Sequence, residues 1–499
     1  MRSILLAVAF LAMTTSPSFA ASTAVPAGAP PQVLEADVAV VGGGSAGFAA
    51  AWSAALLGSR VVLVEKEQAL GGTSTIAGVN NWEPGMGGTG VPYRVYQRLS
   101  ARPDACAPYV MAKHCMWPEK DQPYTYPGAL ATLDPSIPYA ATLRRHGPGL
   151  RDKNWFRENC HGIIFEADEM SATLLEMLRE TGRCEVLLGI ACTGAETGEG
   201  NHVERIVLSD GRKVAARVFV DATDGVLCGM LGCERMFGRD ARSDYGEPGA
   251  PDKPRPTLNG ATLMFRVEPA GSEAVEPLPE DVPEACWWAK RFPLVFAMAC
   301  PRGGYSMNML PTMAGEEVLR LGLEAAYAEC RRRVLAEWHW LQRDHAEFRS
   351  YRLASIAPSL ALRETCRVRG EYVLTQHDLI AGLAKQKHPD IIAIADHPMD
   401  NHGGGGPNGE LNGPYGIPYR CLLPLGTRNV LVAGRAASFS SIAASSCRLS
   451  RTMMQLGEAA GVAAFLAVRD DIPLREVDAA EIRRCMAEKI DGDPFQENQ

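Results

Sequence analysis

Gly42, Gly44 and Gly47 stand at G-x-G-x-x-G spacing, and each has a chemical reason to be glycine. Gly42 permits a tight turn, Gly44 lets main chain approach a pyrophosphate, and Gly47 lets a helix pack on the preceding strand. A dinucleotide placed there has its diphosphate at the positive end of that helix, beside Ser45 and Ala46. Glu65, with Lys66 beside it, is suited to accept hydrogen bonds from ribose hydroxyls. The run Gly71-Gly72-Thr73-Ser74-Thr75 follows. Gly72 keeps side chains away from a bound cofactor, and Thr73 supplies a hydroxyl.

A second set of residues has the chemistry to act on a substrate. His397 and His402 flank a Pro-Met-Asp-Asn loop that runs into Gly403–Gly406, and imidazoles exchange protons near neutral pH. Arg363, Arg420 and Arg448 are of the type that pairs with a carboxylate or stabilises an enolate-like charge, and Tyr419 is suited to share that role. Plainer uses exist for each: a surface loop or metal for the histidines, an internal ion pair for Arg363, a helix brace for Arg448. The scattered cysteines lack paired ligand spacing, so no metal is expected.

These residues need elements to hold them. Asp37–Val41 is a β-favouring apolar run, Ala46–Leu57 is an Ala-rich helix stopped by Gly58, and Arg60–Val64 is a second apolar run. Residues 80–150 are rich in Pro, Gly and aromatics and lack a sustained period, which predicts an irregular insertion over the site. A helix is expected in the second half of Phe156–Arg179, and strands at Glu185–Ile190, His202–Leu208 and Lys213–Val220. The last of these runs into Asp221-Ala222-Thr223-Asp224-Gly225, a second place where backbone meets a cofactor. After Pro311, the apolar stripe Leu319, Leu323, Tyr327, Cys330, Val334, Trp338, Leu341 and Phe348 marks one long helix. Val368–Leu374 reads as a strand, and Asn429–Ala433 as a final one ending at Gly434-Arg435. A helix with a small-residue packing face then begins near Arg448.

The chain has 499 residues, enough for more than one structural unit. A net charge of −8 without any Lys/Arg run argues against nucleic acid as a partner. Arg2, the short apolar run Ile4–Met13 and Ser18-Phe19-Ala20 predict a signal peptide cut after Ala20. That means export to a periplasm or beyond, and no stable membrane insertion afterwards. Residues 21–34 read as a flexible leader. Of the fourteen cysteines, Cys106 and Cys115 are the first pair to check for a disulfide, although most are expected to be buried thiols.

Taken together, the motifs resemble a known family. VVGGGSAGFAAA (40–51), EKEQALGGTST (65–75), VDATDGVLCGMLG (220–232), FGRDARSDYGEP (237–248), RETCRVRGEYVLT (363–375), IPYRCLLP (417–424) and the long run 429–464 follow its order. The chain is similar to FAD-dependent oxidoreductases of the glutathione-reductase-like superfamily, laid out like the fumarate reductase and succinate dehydrogenase flavoproteins.

The resemblance implies an α/β fold. A Rossmann-like FAD-binding domain is assembled from residues 35–236 and 425–470, an α+β substrate or cap domain is inserted at 237–424, and a C-terminal tail occupies 471–499. It implies FAD contacts at Gly42, Gly44, Gly47, Glu65, Gly72, Thr73, Asp221, Ala222, Gly225, Gly434 and Arg435. Asp224 stands where the family often has Gly, so its side chain is expected to turn away or alter the adenosine end. No His lies between Gly71 and Gly78, so the flavin–His link of the succinate dehydrogenase branch has no anchor here.

The expected activity is hydride transfer between flavin and a small polar substrate, a sugar derivative or an organic acid. Oxygen, a quinone or a cytochrome is the electron partner. A redox-neutral lyase or isomerase, and a flavin-carrying binding protein, stand as alternatives.

Overall fold

The computed structural model describes residues 32–113, 128–147, 152–289, 294–402 and 406–490. The expected signal peptide, most of the leader, Cys115 and Gly403–Gly405 lie outside these residues.

A five-stranded parallel sheet collects its strands from across the chain. In spatial order they are Val430–Val432, Val218–Asp221, Val38–Val41, Val61–Glu65 and Cys184–Leu188. Four of the five are buried along their whole length, as runs of Val, Leu and Phe require when both faces are covered. Helix Ser45–Leu57 follows the central strand, Val38–Val41, and lies against helix Ser450–Asp470. The contact is close because it is made by small residues: Gly457 sits on Ala46, and Gly461 on Ala50. The fold is the expected α/β type, a Rossmann-like dinucleotide domain with an additional domain.

The additional domain is built on an eight-stranded sheet. Its order is Tyr351–Ile356, Phe265–Pro269, Tyr305–Leu310, Leu294–Ala299, Gly128–Leu133, Cys106–Lys113, Gly162–Phe165 and Asn81–Trp82. Four of these strands come from the stretch before residue 166. Much of the insertion expected to be irregular is therefore ordered: helix Val91–Ser100 and strands Cys106–Lys113 and Gly128–Leu133. Its strands pair directly with cap strands, Gly128–Leu133 running parallel to Leu294–Ala299. A proline at 108 and small residues along both strands hid the alternation.

Other boundaries also move. Val33–Glu35 is a strand paired with Lys213–Ala215, so ordered chain begins inside the expected leader. Lys213–Val220 divides into two strands, Lys213–Ala215 and Val218–Asp221, belonging to different sheets. The helix after Pro311 breaks at Gly322, giving Gly315–Leu321 and Leu323–Asp344, and Leu323 falls off the buried stripe at 48% exposure. The 366–374 region forms only a short strand, Cys366–Val368. The C-terminal segment is no tail: helix Ala479–Ile490 packs on Ser450–Asp470, with Ile482 and Met486 buried. The final helical region is two helices, Ser441–Ser446 and Ser450–Asp470, with Arg448 in the joint between them. Among the described residues no helix is long and apolar enough to cross a membrane, and no disulfide joins the described cysteines.

Candidate functional site

A cavity of about 820 Å³ runs from the fingerprint to the His and Arg residues. That volume is within the range of cofactor and ligand sites, ~300–1,000 Å³.

At its first end lie Gly42, Gly44, Ser45 and Ala46, where strand Val38–Val41 turns into helix Ser45–Leu57. Gly42 has φ +100°, a conformation L side chains rarely adopt, and its α-hydrogen faces the carbonyl of Ala222. A Cβ on Gly44 would meet no protein atom within 4 Å, so backbone there is open to a ligand. Gly47 lies beneath the turn and does not line the cavity; a Cβ on it would sit 1.7 Å from the Gly42 carbonyl oxygen. The first-turn N–H groups of the helix have no intrahelical acceptor, which suits a diphosphate.

Glu65 is buried at the tip of its strand and lines the same end. One carboxylate oxygen accepts from the Gly43 N–H and the other from the Glu67 N–H at 2.8 Å. Each oxygen keeps a lone pair for a ribose hydroxyl. Lys66, Gly72, Thr73, Ala222, Gly434 and Arg435 also line the cavity. Ser74 and Ser450 share a hydroxyl hydrogen bond at 2.9 Å, joining the Gly72 turn to the start of the last long helix.

Asp221 and Gly225 stand behind this surface. Asp221 is fully buried and accepts from the N–H groups of Thr223, at 3.1 Å, and Cys228, at 2.9 Å, so it shapes the turn and does not line the cavity. Gly225 caps the short helix Val226–Met230. Asp224 lines the cavity, where Thr365 Oγ1 donates to its carboxylate at 2.8 Å and Arg435 at 3.2 Å.

The other end gathers four of the six residues with substrate chemistry: Arg363, His397, His402 and Arg448. Arg448 donates to Asp400 Oδ2 at 2.6 Å, and His402 Nε2 donates to the same oxygen at 2.9 Å. Burial alone would raise the Asp400 carboxyl, but the His402 hydrogen bond and the Arg448 charge outweigh it and hold it well below the usual range. His402 is shifted the other way, below its ordinary 6.5, by burial and by the charges of Arg363 and Arg448, against the pull of Asp400. Asn259 clamps this loop from both sides, accepting from the His402 N–H at 2.7 Å and donating to the Asp400 carbonyl at 2.8 Å.

Arg363 donates one nitrogen to the Gly260 carbonyl at 2.9 Å and to Thr262 Oγ1 at 2.8 Å. Among the described residues it has no carboxylate partner, contrary to the internal ion pair that the sequence also allowed. Burial and the neighbouring Arg448 pull it down to about 9. His397 is buried with Nε2 3.4 Å from Glu83 Oε2. Burial works to raise Glu83, but the His397 contact outweighs it and holds the carboxyl at about 2.

Arg420 and Tyr419 are not brought to this cavity. Arg420 forms a two-pronged pair with Asp390 at 2.9 and 3.0 Å, and the buried Tyr419 hydroxyl donates to the Leu474 carbonyl at 2.9 Å. Asp400, Glu83 and Asn259 were missed by sequence reasoning. The Asp-x-His spacing of Asp400 and His402 was the one signal available for them.

Residues 37–486 match the family model described as FAD dependent oxidoreductase. No curated protein matches the chain. Similar solved structures include a geranylgeranyl bacteriochlorophyll reductase-like protein from Thermoplasma acidophilum, with 11% identity, 93% of this chain and 86% of that one covered, and a TM-score of 0.46. Another is an L-amino acid deaminase from Proteus myxofaciens, with 11% identity, 91% and 94% covered, and a TM-score of 0.42. A third is a p-nitrophenol 4-monooxygenase from Pseudomonas putida, with 12% identity, 94% and 89% covered, and a TM-score of 0.39.

Proposed function

The chain belongs to the FAD-dependent oxidoreductase family, and on that premise we propose that it transfers hydride between the flavin and a small polar substrate bearing a carboxylate, an organic acid or a sugar acid. The observation that carries this is Arg363. It is half-buried in the cavity, lacks a carboxylate partner among the described residues, and lies within electrostatic reach of a second guanidinium, Arg448. Of the two carboxylates that act on Arg363, Asp400 is engaged by Arg448 and His402 and Glu83 by His397, so a substrate anion supplies the partner that Arg363 lacks.

FAD suits the other end of the cavity, where Gly44 leaves open space, the helix offers N–H groups, and Glu65 offers acceptors. When bound, it supplies two-electron redox chemistry. The chain's own residues do the rest. Arg363 and Arg448 orient the substrate carboxylate. The bond from Nε2 to Asp400 selects the His402 tautomer whose Nδ1 carries a lone pair, and its lowered pKa keeps it neutral at pH 7. His402 Nδ1 then takes the hydroxyl or amine proton as the substrate carbon is oxidised, or returns it in the reverse direction.

The test is an anaerobic screen of sugars, uronates, dicarboxylates and hydroxy acids against flavin absorbance. An acid that bleaches the flavin while its neutral analogue does not supports the reading. Bleaching by neutral sugars alone overturns it, and product formed without net reduction points to a redox-neutral lyase or isomerase. Oxygen, a quinone or a cytochrome completes turnover, and reoxidation of the bleached enzyme by each identifies which.

We also infer that the enzyme works outside the cytoplasm, on the strength of Arg2, Ile4–Met13 and Ser18-Phe19-Ala20. N-terminal sequencing of the expressed protein should find Ala21 first; an N-terminus at Met1 in the cell-free fraction would count against it.

A further inference from the structure

The cavity does not stay polar beyond Arg363. Its lining passes through Thr262, which is bonded to Arg363, to Phe296, Leu310, Leu323, Tyr327, Pro358 and Leu360. These come from two strands of the eight-stranded sheet, the start of helix Leu323–Asp344, and the segment after strand Tyr351–Ile356. Tyr327 adds little polarity, because its hydroxyl already donates to the Ala357 carbonyl at 3.0 Å. Leu323 is exposed although the stripe of its helix, Ala326, Cys330, Val334 and Leu341, is fully buried. A leucine turned away from an available core and onto a cavity lining offers apolar surface to a ligand. Asn308 and Ser359 are polar exceptions along this stretch, and the exposed Glu324 beside Leu323 disfavours a carboxylate there.

Resting on the reading that Arg363 and Arg448 hold an anion, we propose that the substrate is an amphipathic monocarboxylate. Its acid group lies at the two arginines, and its body is a hydrocarbon chain or ring seated on Phe296, Leu310, Tyr327 and Leu360. A sugar acid fits this lining less well, since its several hydroxyls would lose water against carbon with Asn308, Ser359 and Thr262 as the polar side chains nearby. The charge at the inner end is matched by a single carboxylate, and a second acid group on the body would meet Glu324 and apolar surface.

Three probes test this on the FAD-loaded enzyme by perturbation of flavin absorbance: acetate, hexanoate and hexan-1-ol. Hexanoate should act at a concentration about tenfold or more below that of acetate, because each buried methylene adds affinity. Hexan-1-ol should bind far more weakly than hexanoate. In Leu360→Asn and in Tyr327→Ser the hexanoate-to-acetate ratio should fall towards one while acetate binding holds; Arg363→Gln should weaken both acids. Retained flavin and far-UV circular dichroism show which variants are folded, and the chain-length comparison in the unaltered enzyme stands without them. Equal binding of acetate and hexanoate, or a ratio unchanged in both folded variants, overturns the apolar subsite and leaves the anion reading standing. If neither acid perturbs the flavin, or hexan-1-ol matches hexanoate, the anion reading falls as well.

Discussion

Gly457 lies directly on the carbonyl of Ala46: a Cβ at position 457 would stand 2.0 Å from that oxygen. Ala46 is in the first turn of the fingerprint helix, so this contact fixes the helix end that faces the diphosphate. Gly457→Ala should therefore lower stability by about 1–3 kcal/mol and weaken FAD binding, because the obstructing atom is backbone and cannot rotate away. Gly413→Ala, where a Cβ meets nothing within 4 Å, is the control and should melt like the parent. Thermal melts followed by flavin fluorescence read both effects.

Gly44→Ala separates cofactor binding from folding. Its backbone is at φ −67° and a Cβ there faces open space, so the apoprotein should keep its melting temperature. The methyl group projects where main chain is expected to approach the pyrophosphate, and FAD affinity should fall at least tenfold, about 1.4 kcal/mol. Titration of apoprotein with FAD checks this, and unchanged affinity would remove Gly44 from the site.

Glu65 is held between two N–H donors, so the neutral isostere is a severe change. Gln has to point its NH₂ at Gly43 N–H or at Glu67 N–H. Glu65→Gln should weaken FAD by about 1.5–3 kcal/mol, comparable with Glu65→Ala. Dialysis with absorbance at the flavin band measures the loss.

Much of this was legible in the chain. The glycine spacing, Glu65 and the Gly72 turn are local features, fixed by a backbone that must curve over a few residues, and they lie where that logic puts them. The small-residue face of the last helix was legible for the same reason, since Gly457 and Gly461 admit close backbone approach. What could not be read was pairing across long separations. Arg420 has the right chemistry for a substrate anion, yet Asp390 takes both prongs of its guanidinium. Asp400 and Glu83 draw their meaning from Arg448 and His397, and composition says nothing of such partners. The strands in residues 106–133 were hidden because their pairing partners include cap strands far along the chain.

The pH dependence of turnover follows from His402. Its pKa is lowered from the ordinary 6.5 in the folded protein, so with an acid substrate identified by the flavin screen, kcat/KM should fall on the acid side with a midpoint below that of a free imidazole. Asp400→Asn removes the one charge that supports protonation. The acid limb should then move lower still, while the rate falls at least tenfold, about 1.4 kcal/mol, as the tautomer loses its anchor. A limb that moves upward would show that His402 is not the group titrating.

Glu458 provides a pH effect on stability. It is buried in helix Ser450–Asp470, accepts from the Val91 N–H at 3.0 Å, and burial pushes its carboxyl from 4.5 up to about 8. Between those values the folded chain holds a proton that the unfolded chain has released, so stability declines as pH rises from about 4.5 to about 8. Glu458→Gln should flatten that slope. The variant should match the parent near pH 4.5 and melt higher at pH 8; a parallel shift at every pH would assign the effect to packing instead.

The cofactor cleft is closed by two helices from opposite ends of the chain, Ser45–Leu57 and Ser450–Asp470, and its sheet has Val430–Val432 as an edge strand. An emerging chain therefore makes its glycine turn long before it can make the cleft. Until the late strand and helix arrive, the Ala-rich flank of the early helix, with Ala46 and Ala50, has no counterpart to cover it. Such long-range closure makes for slow assembly and a prolonged period of exposed apolar surface. Flavin cannot template the early fragment, so cofactor capture becomes a late, post-synthetic step, and a chain ending before residue 430 should be recovered without FAD however much of the fingerprint it carries.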